Sequence, residues 1–137
     1  MLPFVLTSPD VHPGAPVPRA FVWNADGCEG ANRAPRLTWR NAPRTTEHLR
    51  LTVIDRDVPK AGGWVHWNVT NIPRGARGIG PLLPRGAVAG MNDFGTAGWG
   101  GPCPPPGELH HYTFRVEALD AAGRTVGDAS FVAVYRR

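Results

Sequence analysis

Apolar residues recur along the chain in short runs with a two-residue rhythm, and clusters of glycine, proline and asparagine separate the runs. That rhythm belongs to a strand, whose successive side chains point to opposite faces. "HLRLTVID" (His48 to Asp55) sets Leu49, Leu51 and Val53 on one face and Thr52 and Ile54 on the other. "GWVHWNVTNIP" alternates in the same way, with Val65, Trp67 and Val69 on one side and Trp64, His66 and Asn68 on the other. "HHYTFRVEALD" is the clearest case: His110, Tyr112, Phe114, Val116 and Ala118 face one way, and His111, Thr113, Arg115 and Glu117 the other.

"AFVW" (Ala20 to Trp23), "RLTW" (Arg36 to Trp39) and the closing "ASFVAVYRR" are read as further strands. No window of a dozen residues keeps a 3.6-residue spacing free of Gly and Pro, so little helix is expected. Repeated short strands between turn signals predict a mostly β protein, a sandwich or barrel. With 137 residues, no internal repeat and no linker between composition regimes, the expectation is one domain over residues 1–137. The 17 glycines and 15 prolines lie between the apolar runs and are read as turns.

Charge and cysteine content narrow the classes. The formal charge is +4, and every basic residue except Lys60 is an arginine. Apart from the adjacent Arg136 and Arg137 the arginines are scattered singly, with no stripe or run of the kind that nucleic-acid binding calls for. Cys28 and Cys103 are too few for a disulfide scaffold, and two free thiols are expected. "MLPFVLTSPD" lacks the basic and apolar regions of a signal peptide. No run approaches the ~18 apolar residues of a membrane span. A cytoplasmic protein that is not integral to a membrane is the resulting expectation.

The candidate chemistry sits at strand ends. Asp55 closes its strand in phase with Leu51 and Val53, so its carboxylate needs hydrogen-bond partners beside the core. His66 lies between two tryptophans, and His110 and Tyr112 open a strand on its inward face, while His111 points outward. Two imidazoles, a phenol and a carboxylate beside aromatic walls have the composition of a small ligand pocket. The loop "GMNDFGTAGWGGPCPPPG" (Gly90 to Gly107) adds close-approaching backbone N–H groups, which suit an anion.

Together "DRDVP", "GWVHW" and "GPCPPPGELHHY", with "NDFG" and "RAPRLTW", resemble the phosphatidylethanolamine-binding protein family, which includes the Raf kinase inhibitor proteins and their bacterial relatives. The resemblance implies an antiparallel β-sandwich, a large sheet packed on a smaller one. It also implies a pocket for phosphate-like anions or phospholipid head groups, and modulation of a protein partner rather than catalysis. Asp55, His66, His110 and Tyr112 would line that pocket, and Pro59, Trp64, Gly101 and Pro104 would shape its rim. No cofactor is implied. His111 stands where the family carries an arginine, and "AAGRTVGD" (Ala121 to Asp128) is a turn where relatives carry a longer excursion.

On this reading His66, His110, Tyr112 and a backbone N–H near Gly100 and Gly101 donate to the anion, while Asp55 fixes an imidazole tautomer or accepts from the ligand's own amine or hydroxyl. The rivals are a metal site built from Asp55, His66 and His110 or His111, and a hydrolytic enzyme with Asp55 and His66 as an acid–base pair. Against the first, His110 and His111 point to opposite faces. Against the second, the nearest candidate nucleophile, Cys103, sits among prolines. A third rival is a module that only binds other proteins.

Overall fold

The computed structural model describes residues 2–137, which form eight strands and one short 3₁₀ turn. The small sheet runs β1 (Val5–Thr7), β2 (Leu37–Arg40), β5 (Gly78–Ile79). The large sheet runs β6 (Val88–Ala89), β4 (Trp64–Pro73), β3 (His48–Asp55), β7 (Leu109–Leu119), β8 (Thr125–Arg136). All the strand pairs within both sheets are antiparallel.

β3 forms where the alternation predicts it, and Leu49, Leu51 and Val53 are fully buried. Burying each such aliphatic side chain stabilises the fold by about 1.5–3 kcal/mol. β7 buries Phe114, Val116 and Ala118 on the face that also carries His110 and Tyr112. Leu37 and Trp39 from the small sheet close the core from the other side. Phe114 stacks on Phe131 of β8 with centroids 4.9 Å apart, which ties β7 to β8. β7 and β8 are joined by a turn in which Asp120 N–H donates to Arg124 O and Gly123 N–H to Asp120 O.

β4 departs from simple alternation. Val53 pairs with Trp67 but Ile54 pairs with Val65, so His66 is an extra residue opposite β3. Such a bulge re-aims the side chains on either side of it. Here it turns both His66 and Trp67 inward and corrects the face expected for Val65, which instead borders an outer groove with Thr52, Ile54 and Thr113. A second irregularity lies between the Leu49–Ile72 and Leu51–Val69 pairs, where Asn71 takes a positive φ of 54°.

Two further expectations are corrected. Ala20 to Trp23 is not a strand: Arg19–Phe21 is a 3₁₀ turn, closed by Phe21 N–H to Pro18 O and Val22 N–H to Arg19 O. Its backbone also meets other loops, with Trp23 N–H bound to Pro102 O. Cys28 and Cys103 are not free thiols but a disulfide, with Cα atoms 5.9 Å apart. They lie on loops that fold together from remote parts of the chain, a proximity that composition does not report.

Along its outer side β8 is partly covered by residues 14–17. Gly14 N–H donates to Val132 O, Val17 N–H to Val134 O, and Val134 N–H to Ala15 O.

Candidate functional site

The ends of β3, β4 and β7 and the two loops beside them enclose a cavity of about 230 Å³. Asp55, Trp64, His66, Pro104, His110 and Tyr112 line it, joined by Val58, Phe94, Cys103 and Pro105. The register explains the convergence. Asp55 pairs with Trp64 on one side and Tyr112 on the other, so three neighbouring strands deliver side chains to one spot. His66 arrives from the β4 bulge and meets Tyr112 edge to face at 5.1 Å.

Pro59 and Gly101, expected at the rim, do not line the cavity, where Val58 stands in for Pro59. Gly101 is held against another loop instead. Its N–H donates to Asn32 Oδ1 at 2.8 Å, and a Cβ there would lie 2.0 Å from Phe21 O. Gly100 N–H is likewise committed, to His66 O at 2.9 Å. The backbone donors expected from these glycines are therefore spent on structure.

The two buried histidines also differ from expectation as donors. His66 Nδ1 donates to Gly100 O at 2.6 Å, which fixes its ring. Burial holds its imidazole below the usual value despite the Gly100 carbonyl and the Asp55 charge, so the ring is neutral near pH 7. His110 is bracketed: Nδ1 meets Asp55 Oδ2 at 2.5 Å and Nε2 meets Glu108 Oε1 at 2.7 Å. A ring that donates to carboxylates from both nitrogens is an imidazolium. Burial pulls its pKa down, but the hydrogen bonds to Glu108 and Asp55 outweigh that and hold it above the usual imidazole range. Asp55 is fixed in turn, because its Oδ1 accepts from Asp57 N–H at 2.8 Å.

Two buried polar atoms of the cavity residues, shut off from solvent, have no hydrogen-bond partner among the described residues: the Tyr112 hydroxyl and the Trp64 Nε1–H. Burial, with the Asp55 and Asp57 charges, pushes the Tyr112 phenol well above its usual pKa, so it keeps its proton. A buried polar group without a partner costs about 1–3 kcal/mol. Both belong to side chains that line one cavity, where they form a concentration of unspent donor capacity.

Phe94, from the "NDFG" motif, is a further wall of the cavity that the alternation pattern does not single out. It stacks on Trp23 with centroids 3.8 Å apart and meets Trp64 and His66 edge-on. Buried Asn92 shapes its loop: Oδ1 accepts from Phe94 N–H and Thr96 N–H, and Nδ2 donates to Thr96 Oγ1 and Gly98 O. Glu108 was also missed. Its only sequence signal is a position two residues before His110, which puts both on one face of an extended chain.

His111 points outward, its N–H and Nδ1 both donating to Asp57 Oδ2 at 2.8 Å. Among the described residues no group of three or more His, Cys, Asp or Glu side chains is placed to hold a metal ion. No helix among them is long and apolar enough to cross a membrane.

The family model described as phosphatidylethanolamine-binding protein matches residues 7–135. UPF0098 protein YbcL of Escherichia coli K12 is 45% identical over 125 residues, covering 85% of this chain and 68% of that protein. LppC of Mycobacterium tuberculosis, which carries a lipoprotein name, is 39% identical over 122 residues, covering 88% of this chain and 57% of its own. The crystal structure of E. coli YbcL, described as a new member of the mammalian PEBP family, superposes with a TM-score of 0.93 at 36% identity and covers 99% of both chains. That of the PEBP homolog CT736 from Chlamydia trachomatis gives 0.83 at 28% identity over 98% of each. None of these relatives bears the name of an enzyme.

Proposed function

The chain belongs to the phosphatidylethanolamine-binding protein family, and on that premise we propose that its cavity receives a small oxyanion of the phosphate type. One observation carries the reading. The Tyr112 hydroxyl and the Trp64 Nε1–H are buried donors without partners among the described residues, beside an imidazolium at His110. Donors call for an acceptor, and the His110 imidazolium, shared with Asp55 and Glu108, is the positive group that a negatively charged one would draw on. The volume of about 230 Å³ lies below the roughly 300–1,000 Å³ of pockets that take drug-sized ligands. A phosphate or a head group is the fitting scale, and an acyl chain is not.

In this arrangement Tyr112 and Trp64 bind the oxyanion, His110 supplies the positive charge, and Asp55 holds the His110 ring in place. His66, neutral and anchored to Gly100, shapes the wall. Phe94 and the Pro104 turn keep water from the donors. A protein partner, which the family resemblance implies, would be met without a long excursion between β7 and β8.

Titration calorimetry with inorganic phosphate and, separately, with glycerophosphoethanolamine tests the reading. Heat from both, lost in Tyr112→Phe, supports a phosphate receptor. Heat from the diester alone points to a head-group receptor. Heat from neither overturns the proposal.

The disulfide bears on location. Bonds of this kind form and persist in oxidising compartments, so an extracytoplasmic setting fits Cys28–Cys103 better than the cytoplasmic one expected for free thiols. Thiol labelling of the protein recovered from its native cells checks this: unlabelled cysteines support the oxidising compartment, and two labelled cysteines refute it.

A further inference from the structure

We propose that Glu108 is a resident counter-ion at His110, and that an anion reaches this ring by exchanging with the Glu108 carboxylate, so that Glu108 sets the affinity an anion must have to enter the cavity. The inference rests on the cavity being an oxyanion receptor.

The two carboxylates that bracket His110 are built differently. Asp55 has a side chain 4% exposed, holds His110 Nδ1 with one oxygen and is pinned by Asp57 N–H at the other. Glu108 has a side chain 54% exposed, and its hydrogen bonding among the described residues is the single contact to His110 Nε2. Its backbone is tied down, with N–H donating to Pro105 O and C=O accepting from Arg137 N–H. Release therefore needs only rotation of a side chain that already meets water. Asp55 is part of the frame, and Glu108 is a removable cap on a ring that is itself 3% exposed.

The other ionisable groups near the ring do not compete for Nε2. His66 on β4 is anchored to Gly100, Tyr112 on β7 is a phenol, and Tyr135 on β8 is the register partner of His110. A guest must therefore displace a tethered carboxylate. Tethering gives an effective concentration of order millimolar or above, so a free carboxylate that offers the same chemistry gains nothing. A phosphate gains, because its additional oxygens also reach the unpartnered Tyr112 and Trp64 donors.

The test compares wild type with Glu108→Gln and Glu108→Ala, titrated with sodium phosphate and with sodium acetate at about pH 5.5, a unit below the reference imidazole value of ~6.5. ¹⁵N resonances of His110 and calorimetry are the readouts. The expected result is a wild type that prefers phosphate strongly. In both variants phosphate and acetate should each tighten, by a similar factor of about tenfold or more, since the same competing tethered charge is gone. If wild type binds phosphate and neither variant binds it more tightly, Glu108 takes no part in the exchange, and the oxyanion receptor stands without it. If phosphate binds none of the three proteins, both readings fall.

Discussion

Asp55 on β3 and Tyr112 on β7 are register partners, so a buried carboxylate and a buried phenol stand side by side on the inner face of the large sheet. The carboxylate is fully engaged, with His110 and with Asp57 N–H. The phenol has no partner among the described residues. This asymmetry separates a side chain that holds the site together from one whose polar atom is uncommitted.

Tyr112→Phe should leave the fold intact. The hydroxyl makes no bond within the protein, and a buried hydroxyl without a partner costs about 1–3 kcal/mol, so thermal unfolding should be unchanged or slightly later. Phosphate affinity should fall about tenfold with the loss of one charge-assisted bond. Calorimetry and thermal denaturation on one preparation check both parts. A large loss of stability would mean that the hydroxyl has a structural partner.

Stability should form a dome with pH. The His66 pKa is depressed by burial, so the unfolded chain takes up a proton below about pH 6.5 that folded His66 resists, and stability drops on the acid side. The His110 pKa is raised, because Glu108 and Asp55 outweigh its burial. Folded His110 keeps a proton that the unfolded chain gives up above about pH 6.5, and stability is lost as pH rises through the folded value. Denaturant titrations across this range should peak near the reference value. Glu108→Gln should flatten the alkaline limb and spare the acid one.

Removal of the disulfide should cost several kcal/mol. The bridge joins positions 75 residues apart, for which the loop-entropy model gives about 4 kcal/mol. Guanidinium unfolding of Cys28→Ser/Cys103→Ser against wild type measures this. Because Cys103 also lines the cavity, phosphate binding should weaken in the same variant, and wild type under reductant should behave alike.

Gly101→Ala should damage the protein although Gly101 is outside the cavity. The added Cβ would lie 2.0 Å from Phe21 O and 2.8 Å from Trp23 N, both backbone atoms that cannot rotate away. Overpacking of this kind costs about 1–3 kcal/mol or more. The drop in the unfolding midpoint is the measurement, and a variant as stable as wild type would contradict the described packing of these loops.

What was legible in the chain follows from how local each determinant is. β3 and β7 were readable because their inward positions alternate without interruption, and with them came the placement of Asp55, His110 and Tyr112. The β4 bulge was not, since an extra residue is defined only against the partner strand, and Val65 was assigned to the wrong face for that reason. β1, β5 and β6 span two or three residues each, too short for a rhythm to show. The disulfide and the Phe94–Trp23 stack depend on loops meeting across the fold, a long-range relation that residue order does not display. Glu108 was overlooked because a glutamate beside a turn is ordinary until the imidazole it caps is seen to be buried.

The segment at residues 14–17 that runs beside β8 affects how the molecule behaves in company. Main-chain groups at Val132 and Val134 that another copy could use to stitch on are already taken. The other outer strands are short, so in a crowd any strand-by-strand growth is confined to the Thr125–Phe131 part of β8.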